Sequence, residues 1–313
     1  MVFFCETKLK NNIKFKAVLY LIFIKFSHIT VSQCYIDYFY RMTLLKKLFT
    51  LYVHGSMHVA TSVLALVLMT DHMFGLPVNG AVAIFVWSGT MFSYNFMKYD
   101  GLFRTKKTAG RLVKTIIGLS SIALIASGIS FLYLERASQL TAVIFFGLTA
   151  LYTIPFFPNT KNLRNWSGIK IYIVALCWAG ITLLLPIIDA GAVVSSDVYL
   201  KFVQRFLLVL VLILIFEIID LAEDDPHLKT IPQQIGVRHT KWLNLCLLIP
   251  LFFLEFLRIS IDYRQLAANF VMVAATAVFT LYAHPGRNKY YTLFWVESIP
   301  ILWLVLVVLA DYI

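Results

Sequence analysis

Charge is scarce in this chain. Only 14% of its 313 residues are Asp, Glu, Lys or Arg, where soluble domains carry about 25%. With 60% hydrophobic residues and a mean hydropathy of +0.81, that shortage excludes a soluble globular protein and predicts an integral membrane protein. Acidic residues are the scarcer sign, 16 against 27 Lys and Arg, for a net charge of +11. In a soluble protein such an excess would suggest nucleic acid. In a membrane protein it reflects basic residues gathered in cytoplasmic loops, so no nucleic-acid partner is expected. Cysteine is also rare. Cys5, Cys34, Cys177 and Cys246 show no ligand-like spacing, and they read as small apolar fillers rather than disulfides or metal ligands. Alternating segments of about ten residues are missing, which excludes a β-barrel.

What the chain has in abundance is long apolar runs. They fall near 47–70, 77–97, 113–134, 138–157, 169–189, 198–219, 242–257, 264–283 and 292–312. Most approach the ~20 residues needed to cross a bilayer, so the pattern predicts an all-α bundle of about nine transmembrane helices. Residues 1–41 differ. Lys8, Lys10, Lys14, Lys16 and Lys25 interrupt their apolar letters, and no small-residue cleavage site follows. They read as a dispensable extension, with the membrane domain spanning 42–313.

Loop charge sets the orientation. Lys98, Arg104, Lys106, Lys107, Arg111 and Lys114 follow the second run. Lys161, Arg164 and Lys170 follow the fourth, Lys229, Arg238 and Lys241 the sixth, and Arg287 and Lys289 the eighth. The alternate loops are poorer in cations. The positive-inside rule therefore places these basic loops in the cytoplasm.

One stretch organises the chain: Phe216 to Gly236, at the cytoplasmic end of the sixth run. Glu217, Asp220 and Asp224 are spaced i, i+3, i+7 and share one helix face. Acids at a helix C-terminus meet the negative end of its dipole, at about 0.3–1 kcal/mol each. The arrangement makes sense if a positive group sits there, either a divalent metal or Lys and Arg side chains. Pro226 is expected to end the helix, and Lys229-Thr230 to return a cation and a hydroxyl toward the carboxylates.

Two further stretches reach the same membrane face. The second run ends in Asn95, Lys98, Tyr99, Asp100 and Gly101, with Arg104 beyond. The Asn95 amide can offer oxygen to a metal or simply cap a helix. The cations can pair with phosphate or tether the chain to anionic lipid headgroups. Tyr152 to Arg164, with Lys161, closes the fourth run. Alone it could be interfacial anchoring; beside the other two it supplies a phenol and cations suited to a diphosphate.

These stretches resemble the UbiA superfamily of intramembrane prenyltransferases. Asp220-Leu-Ala-Glu-Asp224 with Lys229-Thr230-Ile231-Pro232 and Gly236 looks like the family's second aspartate-rich motif and its downstream turn. Tyr152 through Arg164 is similar to its Tyr–Pro–Lys region, and the helix layout over about 47–313 matches. The resemblance implies a central cavity opening near the cytoplasmic side and transfer of an isoprenoid group from a prenyl diphosphate to a lipophilic acceptor, such as an aromatic ring. It implies Mg2+ as cofactor, held by Asp220, Asp224, Asn95 and Asp100. It also implies Asp220, Asp224 and Asn95 as catalytic residues, and Tyr152, Lys161, Lys229, Lys98 and Arg104 as substrate contacts. The first motif departs from the family pattern: Tyr99 and Phe103 stand where aspartates are expected. Asp100 is one residue late, about 140° around a helix from Asn95, and could serve if the helix has ended, which Gly101 permits. The alternative is a non-catalytic relative that binds an isoprenoid lipid or serves as a partner subunit. A transporter would predict matched, interrupted helices in two halves, which are not seen.

Three other polar features are set aside. His54 and His58, at i, i+4, read as interior hydrogen bonding or interfacial placement, since no third metal ligand is evident. Arg205 and Glu297 could line the cavity or snorkel, and neither is given a catalytic role.

Overall fold

The computed structural model describes residues 44–104, 110–153, 168–224 and 228–312, and the side chains of 44, 100–104, 151–153 and 169 are not included. The described chain is helical, with no strand among these residues. The helices are α1 (Leu44–His54), α2 (Met57–Met73), α3 (Gly80–Arg104), α4 (Arg111–Phe131), α5 (Arg136–Thr153), α6 (Ile169–Ala179), α7 (Leu185–Asp189), α8 (Ser196–Asp220), α9 (Ile231–Phe253), α10 (Tyr263–Tyr282) and α11 (Ile299–Ala310). Widened π turns at Gly180–Leu184 and Tyr291–Val296 lead into α7 and α11.

Six segments are long and apolar enough to cross a membrane: α4, α6 with α7, α8, α9 with its last turn, α10, and the π turn with α11. A seventh exists if the bent α1–α2 pair is one span. The chain is therefore an integral, multi-pass membrane protein. Two expected spans, α3 and α5, fall outside this set. Lys98, Asp100 and Arg104 sit in the last turns of α3, and Arg136 opens α5.

Burial identifies the hub. In α8, 67% of the most apolar stretch is buried, against 28–50% in the other five segments. Its Leu208, Val211, Ile215 and Ile218 pack against Leu66 and Met69 of α2, Leu248 of α9, Met272 of α10 and Trp303 of α11. Such burial on several sides suits an apolar run without a polar face. Ile122, Ile129, Leu140, Val278 and Leu281 stand exposed on the outer helices, where lipid would cover them.

Polar side chains tie the bundle. Arg205 donates from Nη1 to the carbonyls of Leu66 (2.9 Å) and Thr182 (2.8 Å) and to Thr70 Oγ1 (2.6 Å). Lys201 pairs with Glu255 at 2.6 Å, and Gln204 and Asn269 donate to the same carboxylate oxygen at 3.0 and 2.9 Å. Inside lipid such groups must find partners within the protein. Arg205 thus neither snorkels nor lines the cavity; it is a fastener between α2, α8 and the turn before α7.

Three boundaries differ from expectation for identifiable reasons. The first helix is not continuous: it breaks at Gly55–Ser56, bending by 63°, with Ser56 left-handed at φ 58°. A Cβ on Gly55 would lie 2.5 Å from the Leu51 carbonyl oxygen, so glycine is required there. His54 and His58 consequently lie on opposite sides of a break. His58 Nε2 meets the Phe294 carbonyl (2.9 Å) and Nδ1 the Tyr52 hydroxyl (3.1 Å), which is interior hydrogen bonding. The segment after the acidic cluster is not a long loop: α9 starts at Ile231 rather than near 242, with a kink at Gly236 (φ 77°, ψ 159°) before it runs on to Phe253. Thr230 caps it, with the Gln233 side chain accepting from the Thr230 N–H (3.0 Å), and Pro232 sits in the first turn, where a missing N–H costs nothing. Finally, α3 runs through Gly101 to Arg104, so Asp100 remains about 140° around the axis from Asn95 instead of returning beside it.

Candidate active site

A cavity of about 500 Å³ lies between α3, α5, α6 and α8, with the start of α11 on its wall. Each helix contributes a stripe at helical spacing. Lys170, Val174, Cys177 and Ile181 come from α6 and its π turn. Val209, Ile213, Phe216, Glu217 and Asp220 come from α8, with Asp224 just beyond. Phe85, Gly89, Phe92 and Met97 face it from α3, and Phe145 from α5. The wall is thus apolar and aromatic over most of its length, with acids and one lysine gathered at the C-terminal end of α8. Trp178 fixes part of the wall by donating from Nε1 to the Tyr94 hydroxyl at 3.0 Å.

The acids at that end are not equivalent. Glu217, 5% exposed, pairs with Lys170 at 2.8 Å, and its other oxygen accepts the Ile231 N–H at 3.1 Å. The Lys170 contact is electrostatic: Glu217 Oε1 has no partner in hydrogen-bond geometry. Glu223 is paired with Lys289. Asp220 and Asp224 line the cavity and make no hydrogen bond or ion pair through their carboxylates among the described residues. A turn links them, the Asp224 N–H bonding the Asp220 carbonyl at 2.9 Å. The charges of Lys170, Lys289, Glu223 and Asp224 all reach Asp220.

The other expected site residues scatter. Asn95 is 2% exposed and off the cavity wall. Its amide nitrogen donates to the Gly55 carbonyl and to Ser120 Oγ, and its oxygen accepts from Ser56 Oγ, each at 2.8 Å. It stitches the α1–α2 break to α3 and α4. Lys98 is exposed and donates to the His54 carbonyl at 3.1 Å, beside Tyr99, whose hydroxyl meets the same carbonyl at 3.2 Å. Lys229 is exposed, left-handed at φ 49°, and not on the cavity wall. The side chains of Asp100, Arg104 and Tyr152, and the whole of Lys161, lie outside the described residues.

Two wall residues escaped the sequence reading of the site. Lys170 reads from the sequence as a loop charge, and its spacing with Val174, Cys177 and Ile181 is the signal that places it on the wall. Glu297, set aside earlier, lines the cavity from the start of α11. No three His, Cys, Asp or Glu side chains form a ready-made metal cage among the described residues.

The arrangement defines a class: a multi-pass helical membrane protein enclosing an apolar cavity with an acidic end. No family model and no curated protein matches the sequence. Solved structures do match. One is a digeranylgeranylglyceryl phosphate synthase of membranes, 15% identical, with 85% of this chain and 97% of that chain covered at a TM-score of 0.51. Another is a UbiA homologue from Archaeoglobus fulgidus bound to GPP and Mg2+, 12% identical, with 83% of this chain and 100% of that chain covered at a TM-score of 0.54. The chain therefore has the UbiA fold, as its motifs suggested.

Proposed function

We propose that the protein is an intramembrane prenyltransferase that moves an isoprenoid group from a prenyl diphosphate to a lipophilic acceptor. One observation carries the reading: Asp220 and Asp224, two carboxylates without partners among the described residues, stand at the acidic end of an otherwise apolar cavity in a UbiA fold. Burying carboxylates without partners is costly, and a bound cation would offset that cost.

Mg2+ fits this donor set. It favours hard oxygen ligands and is held by one or two carboxylates plus substrate phosphates, rather than by an all-protein cage. Asp220 and Asp224 supply that number. Bound there, Mg2+ would neutralise the diphosphate and ease its departure. The remaining work falls to the chain. Lys170 brings a positive charge to the leaving diphosphate, while Glu217 holds that lysine in place. Phe85, Phe92, Phe145 and Phe216 take up the prenyl chain, each methylene buried contributing about 0.8 kcal/mol. Their ring faces also favour positive charge as it develops on the allylic carbon, and the dry wall keeps water from capturing it.

In this reading α3 and α5 also cross the bilayer, giving nine passes. The acidic end then faces the cytoplasm, in line with the basic loops on that side. A second reading has one specific support. Asn95 is consumed as a tie and Tyr99 bonds the His54 carbonyl, so the first-motif half of the site holds no described ligand. That favours a relative which binds an isoprenoid lipid without turning it over.

The test is to incubate the purified protein in detergent with labelled allylic diphosphates and Mg2+, with and without EDTA, beside Asp220→Ala and Asp224→Ala. Metal-dependent diphosphate release, lost in both variants, is expected. Tight binding without release would establish the second reading.

A further inference from the structure

The cavity wall carries one more acid, which the diphosphate site leaves unused. Glu297 lines the cavity together with Pro300 of α11 and Val63 of α2. Its backbone is fixed on both sides: its N–H donates to the Thr292 carbonyl at 3.1 Å, and its own carbonyl accepts from Ser62 Oγ. It closes the π turn Tyr291–Val296, and such widened turns recur at functional sites because the extra residue re-aims the side chains around it. On this rigid mount the carboxylate makes no hydrogen bond or ion pair with any described residue. Lys98, the cation whose charge reaches it, holds its Nζ on the His54 carbonyl. An acid on a cavity wall inside a membrane span is expensive and functional by default.

We infer that Glu297 is the acceptor-binding residue. It accepts a hydrogen bond from the hydroxyl of a neutral lipophilic acceptor and takes that proton during transfer, an inference that rests on the prenyl-transfer reading above. The bond between the first prenyl carbon and the diphosphate oxygen breaks, its electron pair leaving on the diphosphate. A lone pair of the acceptor oxygen forms the new bond to that carbon. The hydroxyl proton passes to the Glu297 carboxylate and then to water, so charge and atoms balance without a further reactant. The same carboxylate sets a specificity. With Glu297 ionised, like charges brought together in a desolvated site cost several kcal/mol, so an acceptor bearing a carboxylate is rejected and a neutral alcohol or phenol is taken.

Equilibrium binding of para-dodecylphenol and para-dodecylbenzoate to the purified full-length protein at about pH 9, which keeps the Glu297 carboxylate ionised, tests this directly. The two probes share shape and chain length and differ in charge. Wild type is expected to favour the phenol by at least about tenfold. Glu297→Gln, isosteric and neutral, brings the two within about twofold, while Glu297→Asp keeps the discrimination. Retained binding of geranyl diphosphate with Mg2+ reports that each variant is folded and tests the donor site separately. Undiminished discrimination in Glu297→Gln overturns the assignment, as does a wild type that binds both probes equally or neither. Glu297-dependent selectivity without donor binding would instead remove the transfer step.

Discussion

Lys170→Met is the most informative single change, because it separates the ion pair from the open carboxylates. Removing one partner of a buried pair costs about 3–5 kcal/mol, since the other charge is left uncompensated. Lys170 is 18% exposed and its contact with Glu217 lacks hydrogen-bond angles, which places the cost at the low end, about 3 kcal/mol. At about 2.1 cal/mol/K of unfolding entropy per residue, that corresponds to a fall in Tm of about 5 °C for a chain of this size. Glu217→Gln should cost less, because a neutral amide needs no counter-charge and still accepts the Ile231 N–H. The double variant should recover much of the loss, with a coupling of about 2 kcal/mol in a double-mutant cycle. Unfolding in detergent with increasing denaturant, by intrinsic fluorescence, measures all four proteins. Prenyl diphosphate binding should weaken in both variants lacking the lysine, while Glu217→Gln retains it. A coupling below about 0.5 kcal/mol would refute the reasoning and leave Lys170 as a solvated charge.

Three further outcomes follow from the geometry. Asn95→Ala removes the partner of the Gly55 carbonyl and the Ser56 hydroxyl, so stability should fall by about 1–3 kcal/mol with prenyl diphosphate affinity unchanged; a selective loss of affinity would support Asn95 as a ligand. Gly180→Ala places a Cβ 1.8 Å from Phe145 Cζ, which should cost about 1–3 kcal/mol and narrow the cavity, and Phe145→Leu in the same protein should recover it in thermal unfolding. Arg205→Met removes the donor to Thr70 Oγ1 while Thr70 still reaches the Leu66 and Thr182 carbonyls, and thermal unfolding should show a loss of about 1–3 kcal/mol with diphosphate binding intact.

The acidic face was legible because helical periodicity needs no tertiary information: Glu217 and Asp220 sit on α8 where their spacing put them, and Asp224 follows on the turn just beyond. The start of α9 was equally legible, since Thr230-Ile-Pro-Gln233 is a capping box with an early proline, but the dense polar letters around it suggested a loop. Asn95 was ambiguous for a physical reason. An amide inside an apolar helix must find partners, and sequence does not say whether these are a metal or the carbonyl and hydroxyls of neighbouring helices. Lys170 and Glu297 depended on which faces of α6 and α11 meet the cavity, a matter of packing angles and π turns that no local pattern records.

The Lys201–Glu255 pair also bears on how the protein is made. The two charges sit at the far ends of α8 and α9 from the acidic cluster, one near the start of its helix and the other just past the end of its neighbour. Each alone raises the cost of inserting its helix, by less than the roughly 2.5–3.5 kcal/mol of a charge at the helix centre, and pairing offsets part of that cost. The two segments are therefore best inserted as a hairpin, with α8 incompletely secured until α9 has emerged from the ribosome and delivered its glutamate. A truncation ending before Glu255 should leave α8 slow to integrate and exposed to membrane quality control.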